Sequence, residues 1–327
     1  QSLPTTPTLS LRNPFPANIS GAGAPTAYGI ARDLQMGYVQ FFMAGVEREI
    51  VRNTILEISY VGNKSTRLAK GVNFNFAPPG PGAVQTRRVL RQDLGNIFVT
   101  EPWGNATYHS LQAQLERRFS GGLLLLASYA YGKTLTDVPT STGDKGGTTA
   151  QNPYCLNSCE KGDPTYDLRQ RFTANIVYEL PFGRGRRMMS GGGIADVLLG
   201  GWDIASIISR QSGRPLTVNV SGDPLNTGQS NARANYLGLP KTVENATLDR
   251  WFNTAAFAAP PAYTPGNLGY GTFLGPGTFN WDFSVYKTFL FTEHHRLQFR
   301  TEFFNVVNHP NLGNPGLTIG TATFGKI

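Results

Sequence analysis

Apolar and polar residues alternate with a period of two in eight separate segments of this chain, each about ten residues long. A period of two places successive side chains on opposite faces of a β-strand, whereas a helix needs a period near 3.6. The pattern therefore predicts an all-β fold whose strands have one apolar and one polar face. The eight segments are residues 38–48, 53–62, 108–119, 123–133, 171–180, 201–211, 279–291 and 296–307.

The two faces are easiest to separate in residues 108–119, 279–291 and 296–307. The side chains predicted to share the apolar face are Leu111, Leu115, Phe283, Val285, Leu297, Phe299 and Phe303. The side chains predicted to share the polar face are Gln112, Gln114, Glu116, Gln298, Arg300 and Glu302. A tilted strand of roughly 9–11 residues is long enough to cross a bilayer. We therefore expect the first set to face lipid and the second set to face a water-filled lumen.

The connections between the eight segments alternate in length. Short connections lie at residues 48–53, 119–122, 181–200 and 292–295, and long ones, rich in Gly and Pro, lie at 63–106, 134–168 and 212–278. A compact soluble domain rarely contains several structureless loops of this length. Short periplasmic turns with long extracellular loops are typical of antiparallel transmembrane β-barrels. The glycine-rich stretch 190–196 inside one short connection is expected to be a flexible turn.

A soluble β-sandwich is the main structural alternative, because it also alternates apolar and polar residues along each strand. Aromatic residues near the strand ends, such as Phe119, Phe172 and Phe291, favour the barrel, in which they form girdles at the membrane interfaces. Gln, Glu and Arg on the polar faces also suit a wet lumen.

The composition gives no support for catalysis or nucleic-acid binding. The net charge of +8 is modest for 327 residues, and the basic run at 181–189 is interpreted as a solvated turn. No nucleophile, zinc or phosphate-binding motif occurs, and the four histidines lack a chelating arrangement. We therefore expect no enzyme activity, no catalytic residue, no metal and no cofactor. Acidic loop residues are expected to be solvated rather than to bind Ca²⁺; they are Asp144, Glu160, Asp163 and Asp167.

Cys155 and Cys159 are the only cysteines of the chain. Their C-x3-C spacing is not the C-x2-C of a zinc or redox motif. They are either a small loop disulfide of an oxidising compartment or two free thiols, and the disulfide is the favoured interpretation.

Three blocks of sequence carry a resemblance to a known family. The blocks are YHSLQAQLERRFSGGLLLLASYAYGKTLTD (108–137), DLRQRFTANIVYELPFGRG (167–185) with LLGGWDIASIISRQSGRPLTV (198–218), and WFNTAAFAAP (251–260) with LGPGTFNWDFSVYKTF (274–289) and RLQFRTEFFNVVNHPNLGNP (296–315). In this order they resemble the C-terminal part of the barrel of Oar-like TonB-dependent outer-membrane receptors.

The resemblance implies a barrel of about 22 strands filled by an N-terminal plug. It also implies a carboxypeptidase-regulatory-like domain ahead of the plug and energy supplied by the TonB complex. Residues 1–327 are then expected to be the C-terminal portion of the barrel, about eight strands, without the plug and the final strand.

The expected function is that of a receptor in the bacterial outer membrane, which binds and imports an unidentified large solute. Its expected partners are outer-membrane lipid, lipopolysaccharide and the TonB complex. Two alternatives stay open. One is a standalone outer-membrane barrel that acts as a surface adhesin or structural protein, and the other is a soluble secreted β-sandwich that binds carbohydrate.

Overall fold

The computed structural model describes residues 24–138, 150–152, 154–183, 186–188, 191, 193–290 and 295–327. The longer strands of this part have 8 to 24 residues, and the shorter ones form short pairings. In chain order the strands are β1 (Ala27–Ile30), β2 (Tyr38–Val51), β3 (Thr54–Asn73), β4 (Ile97–Ser120), β5 (Leu123–Thr136), β6 (Gln170–Glu179), β7 (Trp202–Gln211), β8 (Pro215–Leu216), β9 (Asn219–Val220), β10 (Asn235–Tyr236), β11 (Thr242–Thr247), β12 (Arg250–Phe252), β13 (Phe257–Ala258), β14 (Phe273–Leu274), β15 (Thr278–Leu290), β16 (Arg296–Phe303) and β17 (Thr318–Ile319).

One antiparallel sheet contains all eight strands that the alternation predicts. Its order is β16-β15-β7-β6-β5-β4-β3-β2, so that strands that follow one another in this set are also neighbours in space. The short strand β1 adds a parallel pairing to the outer part of β4. The predicted all-β antiparallel fold is confirmed. Among the described residues, no helix has the length and apolar character needed to cross a membrane.

Two tight turns at one end of the sheet follow from residues that tolerate a positive φ. Gly121 and Gly122, with φ of 62° and 84°, join β4 to β5. This left-handed backbone matches the twist of two paired strands, and glycine adopts it without steric cost. Asn53, with φ of 63°, ends the turn between β2 and β3, and its backbone N–H donates to the Glu49 carboxylate at 2.7 Å.

The β3–β4 hairpin extends well beyond its neighbours at the other end. The predicted long connection 63–106 is wrong in extent, because β3 continues to Asn73 and β4 begins at Ile97. The strands β6 and β7 have only 10 residues each. The hairpin therefore projects about ten residues further, roughly 33 Å at 3.3 Å per residue. Alternation weakens there because bulges shift the register between Thr66 and Lys70.

An apolar core forms at this same end, in residues 212–277 and 310–327, which we call the outer module. The expectation of a structureless loop at 212–278 is wrong, since this segment packs around buried apolar side chains and Phe324 joins them from the C-terminal segment. Four short pairings organise the module: β8 with β14, β9 with β17, β10 with β13 and β11 with β12. The buried core residues are Leu216, Val218, Ala234, Phe252, Ala256, Phe257, Leu268 and Phe273.

The connection between β6 and β7, at the end of the sheet opposite the outer module, contains a short helix. The expectation of a flexible turn at 190–196 is wrong in part, because helix α1 spans Ile194–Leu199. Residues 184, 185, 189, 190 and 192 of this connection lie outside the described part of the chain. Residues 291–294 also lie outside it, and with them most of the turn predicted at 292–295.

Candidate functional site

The register of the sheet determines which side chains share a face. Directly opposed residues in an antiparallel ladder point to the same side, so each pairing carries the assignment to the next strand. Gln114 of β4 is opposite Ser128 of β5, which is opposite Thr173 of β6. Thr173 is opposite Ser209 of β7, and Ser209 is opposite Asn280 of β15.

Extending these pairings to β3 and β2 gives a continuous row of polar side chains across seven strands, which we call the polar row. It consists of Glu47, Glu57, Gln114, Ser128, Thr173, Ser209 and Asn280. With strands about 4.8 Å apart, the row is roughly 29 Å long. Every strand that it crosses contributes a hydrogen-bonding or charged group, and no apolar side chain interrupts it.

The neighbouring row on the opposite face has the reverse character across six strands. It consists of Leu56, Leu115, Ala127, Ala174, Ile208 and Trp281. The sheet is therefore amphipathic as a whole, with one polar and one apolar face. Single-strand alternation alone does not establish this, because a shift of one residue between two strands would mix the faces.

The register places all thirteen predicted facing residues consistently. The seven predicted apolar-face residues lie on the face of Leu115, and the six predicted polar-face residues lie on the face of Gln114. They do not form one site, because β5, β6, β7 and β15 separate β4 from β16. On β16, Arg300 pairs with Glu302 instead of with a partner from β4. That the apolar face contacts lipid and the polar face a lumen stays a prediction.

A recess of about 280 Å³ lies on the polar face around the middle of the polar row. Its polar lining comes from Glu57, Gln112, Gln114, Ser128, Arg171 and Thr173, among others. Ser128 Oγ and Thr173 Oγ1 are 2.7 Å apart and form a hydrogen bond across β5 and β6. Amide, hydroxyl, carboxylate and guanidinium groups together can both donate to and accept from a polar solute. We take this recess and the polar row as the candidate recognition surface.

A larger cavity, of about 800 Å³, lies where the sheet meets the outer module. Tyr129, Phe172 and Arg210 line it from the apolar face, while Trp251 lines it from β12 and His309 from the segment after β16. His309 also packs edge-on against Phe279, with ring centroids 5.7 Å apart. Because this cavity is at the rim and on the apolar side, it is not continuous with the polar row.

A disulfide loop fastens the outer module to the extended β3–β4 hairpin. Cys155 and Cys159 form a disulfide. From the hairpin, the buried Lys70 ammonium donates to Leu156 O and to Asn157 Oδ1. The chain between the two cysteines is thus held by a cation on its hairpin side.

On the module side, a buried ion pair holds the same loop. Arg233 Nη1 and Glu160 Oε2 are 2.6 Å apart, and their side chains are 2% and 3% exposed. Arg233 also donates to Leu268 O at 2.7 Å and to Cys159 O at 3.1 Å. Burial raises the pKa of the Glu160 carboxyl, and the Arg233 guanidinium opposes this shift by favouring the charged form.

The expectation that the acidic loop residues are solvated is therefore wrong for those that the structure describes. Glu160 is buried against Arg233, and Asp163 accepts a 2.6 Å hydrogen bond from Arg169. Asp167 is also buried, and its Oδ1 accepts from the Thr134 N–H at 2.9 Å. Asp144 lies outside the described residues. Within the described part of the chain, no group of three His, Cys, Asp or Glu side chains is placed to hold a metal ion.

The sequence did not predict that Glu57, Ser128 and Ser209 lie in one row on the same surface. Each lies in a segment with the right period, but only the pairing register brings them into line. It also missed Arg233, whose partner Glu160 is 73 residues away. A lone arginine in a Gly/Pro-rich stretch carries no signal of such a pairing.

Comparison with known families agrees with the amphipathic sheet. The profile of the outer membrane beta barrel domain matches residues 1–327. The chain belongs to this family. It is therefore a protein of the outer membrane, and the soluble β-sandwich alternative is wrong. No curated protein sequence matches this barrel domain.

Two solved structures that align with the barrel domain illustrate its share of larger chains. The outer membrane transporter YddB from Escherichia coli aligns with 12% identity and a TM-score of 0.47, over 88% of this chain and 31% of that one. FpvA of P. aeruginosa, in complex with iron and a heterologous pyoverdine, aligns with 10% identity and a TM-score of 0.43, over 90% of this chain and 26% of that one. The barrel domain thus spans about a third or less of the length of either chain.

Proposed function

We propose that this barrel domain is the C-terminal part of a TonB-dependent outer-membrane receptor that binds a large polar solute and admits it through the barrel lumen. The polar row carries the proposal. A polar inner face is common to transmembrane barrels, and what favours solute binding here is the recess of about 280 Å³ at the middle of the row, whose groups can both donate to and accept from a polar solute. The three sequence blocks that resemble Oar-like receptors add the expectation of TonB-coupled energy.

The chemistry of the polar row favours a solute with many hydroxyl or amide groups. Its middle is made of neutral hydrogen-bonding side chains, Gln114, Ser128 and Thr173, while the acidic Glu47 and Glu57 lie at one end. Arg171, in the recess beside them, supplies a positive charge. This distribution would bind a neutral or zwitterionic polar solute better than a strongly charged one.

The first test asks whether the polar row faces water. Cysteine at Ser209, on the polar face, and cysteine at Ile208, one residue away on the apolar face, form a matched pair in the full-length protein. In membranes, a charged membrane-impermeant thiol reagent should label Ser209→Cys and leave Ile208→Cys unlabelled. Labelling of Ile208→Cys alone would reverse the two faces and refute the proposal.

The second test asks whether the row binds solute. Full-length protein purified from cells grown in rich medium is analysed by native mass spectrometry for bound molecules. The triple variant Gln114→Leu, Ser128→Ala, Thr173→Val keeps side-chain size but removes three hydrogen-bonding groups, each contributing about 0.5–1.5 kcal/mol. We expect binding to weaken at least about tenfold. Uptake of the bound molecule should also stop when a protonophore collapses the energy supply for TonB.

A surface-display function is the second candidate, and the outer module favours it. The module has its own apolar core and a disulfide loop held by two buried cations, so it presents a fixed surface outside the membrane. If the triple variant leaves solute binding and uptake unchanged while removal of the outer module abolishes attachment of cells to surfaces, the display function replaces the receptor.

A further inference from the structure

Helix α1 exposes most of its apolar side chains. Ile194, Val197 and Leu198 have the i, i+3, i+4 spacing that places them on one helix face. Their exposed fractions are 80%, 58% and 63%. A short helix in a water-exposed turn is expected to bury such a stripe against the protein. The protein leaves this stripe uncovered, and an apolar environment such as lipid would stabilise it.

Lys287 fixes the helix against the apolar face of the sheet. This residue is opposite Trp202 in the β15–β7 ladder, on the face that also carries Phe283 and Val285. Although it lies on the apolar face, Lys287 is only 4% exposed. Its Nζ donates to Gly200 O and, at 3.4 Å, to Leu198 O. These carbonyls belong to the C-terminal end of α1, where unpaired C=O groups and the helix dipole favour a cation.

Trp202 adds a second link between helix and sheet. Its indole N–H donates to the same Leu198 carbonyl at 2.9 Å. Its ring lies 5.2 Å from Lys287 Nζ, a distance that allows a cation–π contact. An ammonium on a lipid-facing surface would be costly if it were unpaired. The carbonyls at the end of the helix pair with the Lys287 ammonium and so remove that cost. The same hydrogen bonds hold the helix against the apolar face.

The first part of the β6–β7 connection lies against the C-terminal end of α1. A Cβ added to Gly183 would come within 2.5 Å of the Gly200 Cα, so the two backbones are in close contact. The residues that follow include Arg186, which pairs with Glu179, and the exposed Arg187 and Met188. The connection thus combines exposed apolar side chains with an exposed cation, the composition of segments that lie in a membrane interface.

We propose that α1, together with Arg187 and Met188, is an interfacial anchor that inserts into the periplasmic leaflet of the outer membrane. Ile194, Val197 and Leu198 would contact the acyl chains near the headgroups, and Arg187 would bind a phospholipid phosphate. Lipid is the occupant because the helix contacts the same face as the apolar row, and the apolar face of a transmembrane barrel strand is the one that meets lipid. Short connections lie at the periplasmic end of such barrels. The anchor is independent of which solute the barrel domain binds.

The test measures where the helix lies relative to water and lipid. Leu198→Cys in the full-length protein carries an environment-sensitive fluorophore, and Leu248→Cys, an equally large residue 53% exposed in the outer module, is the control. Cys155 and Cys159 are joined in a disulfide and do not compete for the label. The proteins are placed in vesicles of phosphatidylcholine and phosphatidylglycerol. Quenching by nitroxide on the lipid chains is compared with quenching by aqueous iodide.

We expect lipid nitroxide to quench the Leu198 probe about threefold or more over the Leu248 probe, and iodide to show the reverse order. Iodide quenching of equal strength at both positions would overturn the proposal, and the helix would then be open to water or to a soluble partner protein. Arg187→Gln should reduce the extra lipid quenching that phosphatidylglycerol causes over phosphatidylcholine alone. An unchanged response to phosphatidylglycerol would overturn the role of Arg187.

Discussion

Replacing Phe283 with Arg tests the face assignment at the point where the membrane should be most apolar. Phe283 is the sixth of the 13 residues of β15, so it lies next to the middle of the strand. It is opposite Ser206 on one side and Phe303 on the other, and its ring centroid is 6.5 Å from that of Phe303. Its neighbour Ser284 lies on the other face, opposite Ala205 and Glu302.

The expected loss of folding free energy follows from the position of Phe283 near the centre of β15. An arginine on the lipid face of a barrel near the bilayer midplane destabilises folding by about 2–4 kcal/mol, and the cost falls toward the interfaces. Because Phe283 is close to the strand centre, we expect Phe283→Arg to lie within that range. Ser284→Arg brings the same charge to the polar face, where it meets the Glu302 carboxylate. We expect it to change the free energy of unfolding by less than about 0.5 kcal/mol.

Urea unfolding of the full-length protein from lipid vesicles, followed by tryptophan fluorescence, measures both variants under the same conditions. The decisive quantity is the difference between them, because both add the same side chain at adjacent positions. Equal losses would show that the two faces do not differ in environment. A larger loss for Ser284→Arg would reverse the faces and with them the proposed lumen.

Three further predictions concern the outer module and its disulfide loop. Glu160→Gln leaves the Arg233 charge buried and should cost the outer module about 3–5 kcal/mol of local stability, seen as faster amide hydrogen exchange; Asp93→Asn, which breaks an exposed ion pair, should leave exchange unchanged. Cys155 and Cys159 should resist alkylation until they are reduced, whereas immediate reaction would contradict the disulfide. Cysteine at the exposed Ser230 should react with an impermeant reagent on whole cells, and labelling only in broken cells would reverse the topology.

The sheet itself could be predicted because its signal is local. A strand such as β4 alternates over enough residues for its faces to be read from Leu111 to Glu116, and the eight segments lie at the positions where the structure has strands. The Gly121–Gly122 turn also has a local cause, since both residues need a positive φ. The short connections then predict the pairs β2–β3, β4–β5, β6–β7 and β15–β16, because antiparallel neighbours are the simplest pairing across a short connection.

The outer module could not be predicted because its signals are not local. Several of its strands, such as β8 and β14, have two residues, too few to show a period. Its stability comes from contacts between distant residues, such as the packing of Phe252 on Phe324 with ring centroids 5.4 Å apart. The Arg233–Glu160 pair likewise could not be predicted from the sequence, because both residues lie in segments with the composition of a solvated loop.

Helix α1 escaped prediction for a different reason. Its six residues are too few for helical periodicity to stand out, and the glycines before it favour a turn. Lys287 lies on the apolar face and is an exception to the alternation of β15. The sequence alone does not explain a cation at this position, whereas the structure does, because the Lys287 ammonium donates to the Leu198 and Gly200 carbonyls.

The outer module is made from two stretches of chain that are separated by the β15–β16 hairpin. Phe324 packs on Phe252, and β17 pairs with β9, only after the chain has run along β15 and returned along β16. We therefore expect the surface of the outer module to reach its final form only when that hairpin occupies its place in the sheet. A conformation-specific antibody against the module would accordingly report on the completed biogenesis of the barrel, because a stalled assembly intermediate lacks its epitope.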